Sequence, residues 1–149
     1  MRRFLSGLVL VCAPIAGVQA QVAEYAVKVV CGVPDRFALA PGRYYTAINV
    51  HNPSATDTKL RFKVALTMAG VAPGPVSTFF SAALKPDQAL EIECTDLSRR
   101  LGTGARFLKG FVVIQCPTEL DVVGVYTAAP SADGRVVAFD LERVPVRRH

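Results

Sequence analysis

Between Lys59 and Met68 the side chains alternate: Leu60, Phe62, Val64, Leu66 and Met68 fall on one face, and Lys59, Arg61, Lys63 and Thr67 on the other. A strand points alternate residues to opposite faces, so this period of two predicts a half-buried antiparallel strand. The same period recurs from Ala26 to Val33 and from Tyr44 to His51, where Tyr44, Thr46, Ile48 and Val50 share a side. Val76 to Leu84 is less regular. Ala89 to Cys94 turns Leu90, Ile92 and Cys94 inward and Glu91 and Glu93 outward. Phe107 to Cys116 and Leu120 to Ala128 are β-branched and apolar on both faces, which predicts central strands. Val136 to Val144 closes the set, with Val137, Phe139 and Leu141 opposed to Asp140 and Glu142.

The connectors carry bend chemistry. Asn52-Pro53-Ser54, Lys85-Pro86-Asp87, Pro117-Thr118-Glu119 and Asp133-Gly134 supply a fixed φ, a side-chain-to-backbone bond or a tolerated positive φ. One short helical turn is expected within Thr95 to Leu101, capped by Thr95 or Asp96. Seven to nine strands at this spacing predict an all-β antiparallel sandwich, immunoglobulin-like in architecture, spanning residues 21–144 as a single domain.

The N-terminus reads as an address. Arg2 and Arg3 precede an apolar run from Phe4 to Cys12, and Val18-Gln19-Ala20 offers small residues at the −3 and −1 positions of a cleavage site. That is the layout of a secretory signal peptide over residues 1–20, and the run is too short to span a bilayer. The expected location is therefore the periplasm or the medium, with no transmembrane helix after cleavage. The alternatives are a membrane anchor and a lipoprotein lipidated at Cys12, which Val11 disfavours.

Composition narrows the function classes. The chain has 149 residues, 51% apolar and 19% charged, which excludes disorder. Cleavage after Ala20 would leave 15 basic and 12 acidic residues, an excess matched by Arg143, Arg147 and Arg148 alone. The body then reads as near neutral with a short basic tail over residues 145–149. No basic stripe interleaved with aromatics is visible along the chain, so no nucleic-acid partner is expected.

Cys31, Cys94 and Cys116 follow the leader. An exported chain with three cysteines is expected to hold one pair and a spare. Placement next to turns favours Cys31–Cys94, closing a loop of about 63 residues, a constraint worth roughly 4 kcal/mol on chain entropy. Cys116 is then a buried thiol or an intermolecular link; a catalytic thiol lacks a CxxC or a nearby histidine.

Metal and catalytic chemistry find little support. His51 and the terminal His149 are the only histidines, too few for a histidine zinc site; Cys116 is followed by Pro117-Thr118-Glu119 with no histidine, against a blue-copper set, and no cofactor is expected. GxSxG is absent. Gly102-Thr103-Gly104 lacks the lysine and following helix of a phosphate loop. Pro53 removes Asn52 as a glycan acceptor. Glu91, Glu93 and Asp96 form one acidic group; Glu91 and Glu93, about 7 Å apart, suit a carboxylate pair, or a calcium site with Asp96, or simply the solvent face of an edge strand. Asn49, His51 and Asn52 read as a polar cluster at the rim or as side chains bonding the turn. Tyr44 and Tyr45 are adjacent, so one of them faces outward.

Two segments together resemble a family of uncharacterised exported bacterial β-sandwich proteins. They are Leu108-Lys109-Gly110-Phe111-Val112-Val113-Ile114 with Pro117, and Leu120-Asp121-Val122-Val123-Gly124-Val125-Tyr126-Thr127-Ala128. Val29-Val30-Cys31-Gly32, Ile48 to Pro53 and Asp140 to Pro145 belong to the same pattern. The resemblance implies export and a β fold and carries no activity. The strand layout is also similar to that of sensory-rhodopsin-transducer-like sandwiches.

The expected function is an exported non-catalytic module acting by protein or cell-envelope contact, in binding, adhesion or assembly, with homo-oligomerisation open. Its candidate contact surface is Tyr45, Asn49, His51 and Asn52. The competing expectation is a small secreted hydrolase using the rim carboxylates and His51.

Overall fold

A computed structural model describes residues 22–34, 39–68, 70, 72–130 and 135–148. The expected leader, the Asp133-Gly134 turn and His149 lie outside the described residues. Among these described residues nine strands and one helix follow in chain order: β1 (Ala23–Gly32), β2 (Arg43–His51), β3 (Thr58–Leu66), β4 (Phe80–Leu84), β5 (Ala89–Glu93), α1 (Cys94–Leu101), β6 (Phe107–Cys116), β7 (Asp121–Ala129), β8 (Ala138–Arg143) and β9 (Arg147–Arg148). No helix among the described residues is long and apolar enough to cross a membrane.

All pairing is antiparallel, and it makes the expected sandwich. One layer runs β4-β3-β6-β1; the other runs β5-β2-β7-β8. The two meet at a seam where β1 pairs β2 only at Gly32↔Tyr44. Beyond that point the ladder opens, and the Thr46 hydroxyl takes its place, accepting from Val30 N–H at 3.0 Å and donating to Val30 C=O at 3.1 Å. Gly32 has φ +94°, a region costly for other residues, and a Cβ there would collide with the Arg106 carbonyl.

Alternation explains the core. Tyr25, Val27, Val29 and Cys31 of β1 point inward with Leu60, Phe62 and Val64 of β3 and Leu108, Val112, Ile114 and Cys116 of β6. They meet Ile48 and Val50 of β2, Ile92 of β5, and Leu120 and Val122 at β7. Fully burying one such aliphatic side chain stabilises by about 1.5–3 kcal/mol. Buried polar bonds also tie the layers: the Tyr25 hydroxyl of β1 donates to Leu120 C=O at 3.0 Å and accepts from Leu120 N–H at 2.7 Å.

Cys31 on β1 and Cys94 at the start of α1 form a disulfide with Cα atoms 5.5 Å apart, as their placement favoured. It joins the layers close to the seam. The helix begins one residue earlier than expected, with Glu93 as N-cap and no side-chain capping bond. Asp96 lies inside it and pairs with Arg99 at 3.0 Å. Leu97 is fully buried, Arg100 stacks over Phe62 and Phe80, and Gly102 ends the helix at φ +60°.

Two features of the C-terminus go beyond what the period of two conveys. The segment expected as a basic tail is docked over its described residues: Val144 is buried, Val146 packs on the core, and Arg147–Arg148 pair with Ala23 and Glu24 at the start of β1. Apolar side chains at 144 and 146 give this segment a reason to dock. The second feature is β8, whose six residues are all exposed. Its register sets Leu141 opposite Val125 and Phe139 opposite Thr127, both on the outer side of β7. Period two is correct there, but the apolar set faces away from the core.

Candidate functional site

Strand pairing assembles the expected contact residues into rows on the outer face of the β5-β2-β7-β8 layer. One row is Glu93, Ala47, Val125 and Leu141; the next is Glu91, Asn49, Val123 and Arg143. A third holds Ala89, His51 and Asp121, and a fourth Tyr45, Thr127 and Phe139. Tyr45 and Asn49 are exposed and His51 is half-buried, so three of the four residues expected at a contact surface lie on one face.

Asn52 does not belong there. It is fully buried. Its amide donates to the carbonyls of Thr56 (2.8 Å), Leu84 (3.3 Å) and Lys85 (3.1 Å), and its carbonyl accepts from the Ser54 N–H and hydroxyl. A short side chain with two donors and an acceptor closes the turn after β2 and ties it to the end of β4. That structural role removes it from the surface.

His51 gathers a set that includes neither Asn49 nor Asn52. Its Nδ1 lies 3.3 Å from Asp121 Oδ2 and its Nε2 3.9 Å from Asp87 Oδ1, while Arg143 Nη2 donates to Asp121 Oδ1 at 3.0 Å. Asp87, Asp121 and Arg143 were not singled out by sequence reasoning. Cross-strand register places Asp121 opposite His51 and Arg143 in the next row, whereas Asp87 arrives on a turn, its N–H donating to Asn52 C=O.

The acidic group is dispersed. Glu93 accepts the Tyr45 hydroxyl, Asp96 is held by Arg99, and Glu91 stands opposite Asn49. Glu93 pairs with Ala47, four residues from His51 along β2, or about 13 Å at strand rise. Two broad depressions, of about 640 and 620 Å³, open elsewhere, and His51, Glu91, Glu93 and Asp96 line neither. Among the described residues no group of three or more His, Cys, Asp or Glu is placed to hold a metal ion. Cys116 is a buried free thiol against the Thr58 hydroxyl at 3.1 Å, on the opposite layer from His51.

Three tyrosine hydroxyls are held neutral. Burial raises Tyr126, helped by its 2.7 Å bond to the Glu142 carboxylate. Burial likewise raises Tyr45, again beside a carboxylate, and raises Tyr25 against the opposing effect of its Leu120 bond. Tyr126 lies across Gly124, where a Cβ would strike the ring.

What most distinguishes this layer is its edge. Among the described residues β8 pairs with β7 alone, so its outer backbone edge is open. Val136, Val137, Phe139 and Leu141 are each 56–63% exposed. Phe139 and Leu141 continue the apolar strip of Val123, Val125 and Ala47 out to that edge.

No protein-family model matches the chain, and no curated protein does. Among solved structures, one described as Thermotoga maritima 1070 is similar over 83% of this chain and 92% of its own, with a TM-score of 0.57 at 6% identity. The likeness is one of fold.

Proposed function

We propose that the chain is an exported, non-catalytic β-sandwich that works by contact with a protein partner of the cell envelope, through the open edge and outer face of β8. The observation that carries this reading is the exposed apolar set Phe139 and Leu141 on an unpaired edge strand. Soluble proteins blunt such edges, because the free N–H and C=O groups template another strand. An added strand would gain main-chain bonds from β8 and side-chain selectivity from its alternate positions. Export rests on the leader pattern from Arg2 to Ala20.

The partner is a different chain. If β8 paired with its own copy about a two-fold axis, the registers of greatest overlap would set Asp140 against Asp140 or against Glu142. Like charges directly opposite destabilise a strand pair. A partner strand with apolar residues on one face and basic or neutral residues on the other meets both sides of β8.

The test is capture from the exporting host. The wild-type protein is expected to retain a discrete envelope protein while remaining monomeric alone. Phe139→Asp and Leu141→Lys are expected to abolish capture with an unchanged melting curve. Capture that survives both substitutions, or a chain that cross-links to nothing, contradicts the proposal.

A further inference from the structure

The outer face of the other layer is built differently. Lys59, Arg61 and Lys63 of β3, Lys109 of β6 and Lys28 of β1 all point outward, and pairing places them on one surface. Arg147 of β9 adds a sixth cation opposite Glu24, the sole carboxylate that these strands contribute to the face. Glu24 accepts a 2.8 Å bond from Gln115, which also holds Arg61. Lys28 and Lys109 crowd one another: burial first, and then the neighbouring ammonium, lower the Lys28 pKa.

Apolar groups are interleaved with these charges. Phe111 is 39% exposed on a central strand, and Val76, bridged to Ala65, sits in its row. Phe79 is exposed beneath Arg61 and Lys63, whose charged ends lie 4.3 and 5.1 Å from its ring centre; Lys28 lies 4.6 Å over Phe111. No basic stripe interleaved with aromatics runs along the chain itself, yet the fold assembles such a face. The residues come from four distant segments, which only the strand order brings together.

We infer that this face docks on an anionic membrane surface, with its lysines and arginines against lipid phosphates and with Phe79, Phe111 and Val76 at the headgroup–acyl boundary. Charge complementarity selects an anionic occupant. Shape selects a surface over a strand-like polymer, since the cations spread over roughly 26 Å along the strands and 14 Å across them. The rings select lipid over bases or sugars. Stacking needs a free ring face, and here cations cover Phe79 and Phe111. Exposed Val76 adds nothing to binding a soluble polyanion, whereas burial in lipid is favourable for it.

The proposal stands apart from the β8 contact, which lies on the opposite layer. It is tested by floating the whole protein, as recovered from its host, with vesicles of phosphatidylcholine alone or with about one-third phosphatidylglycerol. Only the anionic vesicles are expected to retain it, less so at high salt. Lys59→Gln with Lys63→Gln is expected to weaken retention about 25-fold, at roughly five-fold per neutralised cation. Val76→Ser should weaken it at high salt, and Arg43→Gln and Leu141→Lys, on the other layer, should leave it unchanged. Equal retention by both vesicles, an equal loss in Arg43→Gln, or tighter binding to single-stranded DNA or an acidic polysaccharide would overturn the inference. Should the lysine pair fail to fold, Arg61→Gln with Lys109→Gln reads the same surface.

Discussion

The two outer faces of this sandwich share a core and little else. The β4-β3-β6-β1 face, with β9 beside it, sets six cations against the lone Glu24 and lodges its apolar residues among them. The β5-β2-β7-β8 face carries Glu91, Glu93 and Asp121 against Arg43 and Arg143, and gathers its apolar residues into a strip running to an open edge. The first suits a charged plane, the second a single partner strand. One chain thus carries two surfaces of opposite character, and net charge alone predicts neither.

Two faces of different character stay separate only if the layers are held rigidly back to back, and the largest predicted effect tests that. Cys31→Ser or Cys94→Ser should lower unfolding free energy by about 4 kcal/mol in denaturant titration, and reducing the wild type should reproduce the loss. Asn52→Ala, which strands buried carbonyls between the end of β4 and the turn after β2, should cost about 2–3 kcal/mol by the same measurement.

Tyr25→Phe removes the layer-bridging bonds to Leu120 and should cost about 1–2 kcal/mol. This site also sets an alkaline limit. Because Tyr25 and Tyr126 have raised pKa values when folded, their contribution is complete below the ordinary tyrosine value near 10 and is lost as pH rises beyond it. Melting temperature should fall above about pH 10, and less steeply in Tyr126→Phe.

The smallest stability effects belong to the faces themselves. Leu141→Lys and Lys63→Gln should each change unfolding free energy by no more than about 0.5 kcal/mol, being outward-facing. Each should nevertheless abolish or weaken one kind of binding and spare the other. A substitution that damages both would merge the two faces into one site and break the comparison.

Alternation made the strands legible. The inward set of β3, the outward glutamates of β5 and the central positions of β6 and β7 were all readable from period two, because local geometry alone fixes which residues share a face. What the period does not carry is which face turns inward. Phe139 and Leu141 face out because their register matches Val125 and Thr127, and register is a property of the partner strand. The same limit hid the basic face, whose Lys28, Lys63 and Phe111 become neighbours only when β6 inserts between β1 and β3. Asn52 was legible as a turn residue, but its burial depended on β4 ending beneath it.

The most direct test places a photo-reactive amino acid at position 141 and, separately, at position 63, and irradiates the exporting host. Position 141 should yield a discrete protein adduct that Phe139→Asp removes, while position 63 should yield lipid adducts and no such band. The same protein adduct from both positions, or none from position 141, would contradict a division of labour between the faces.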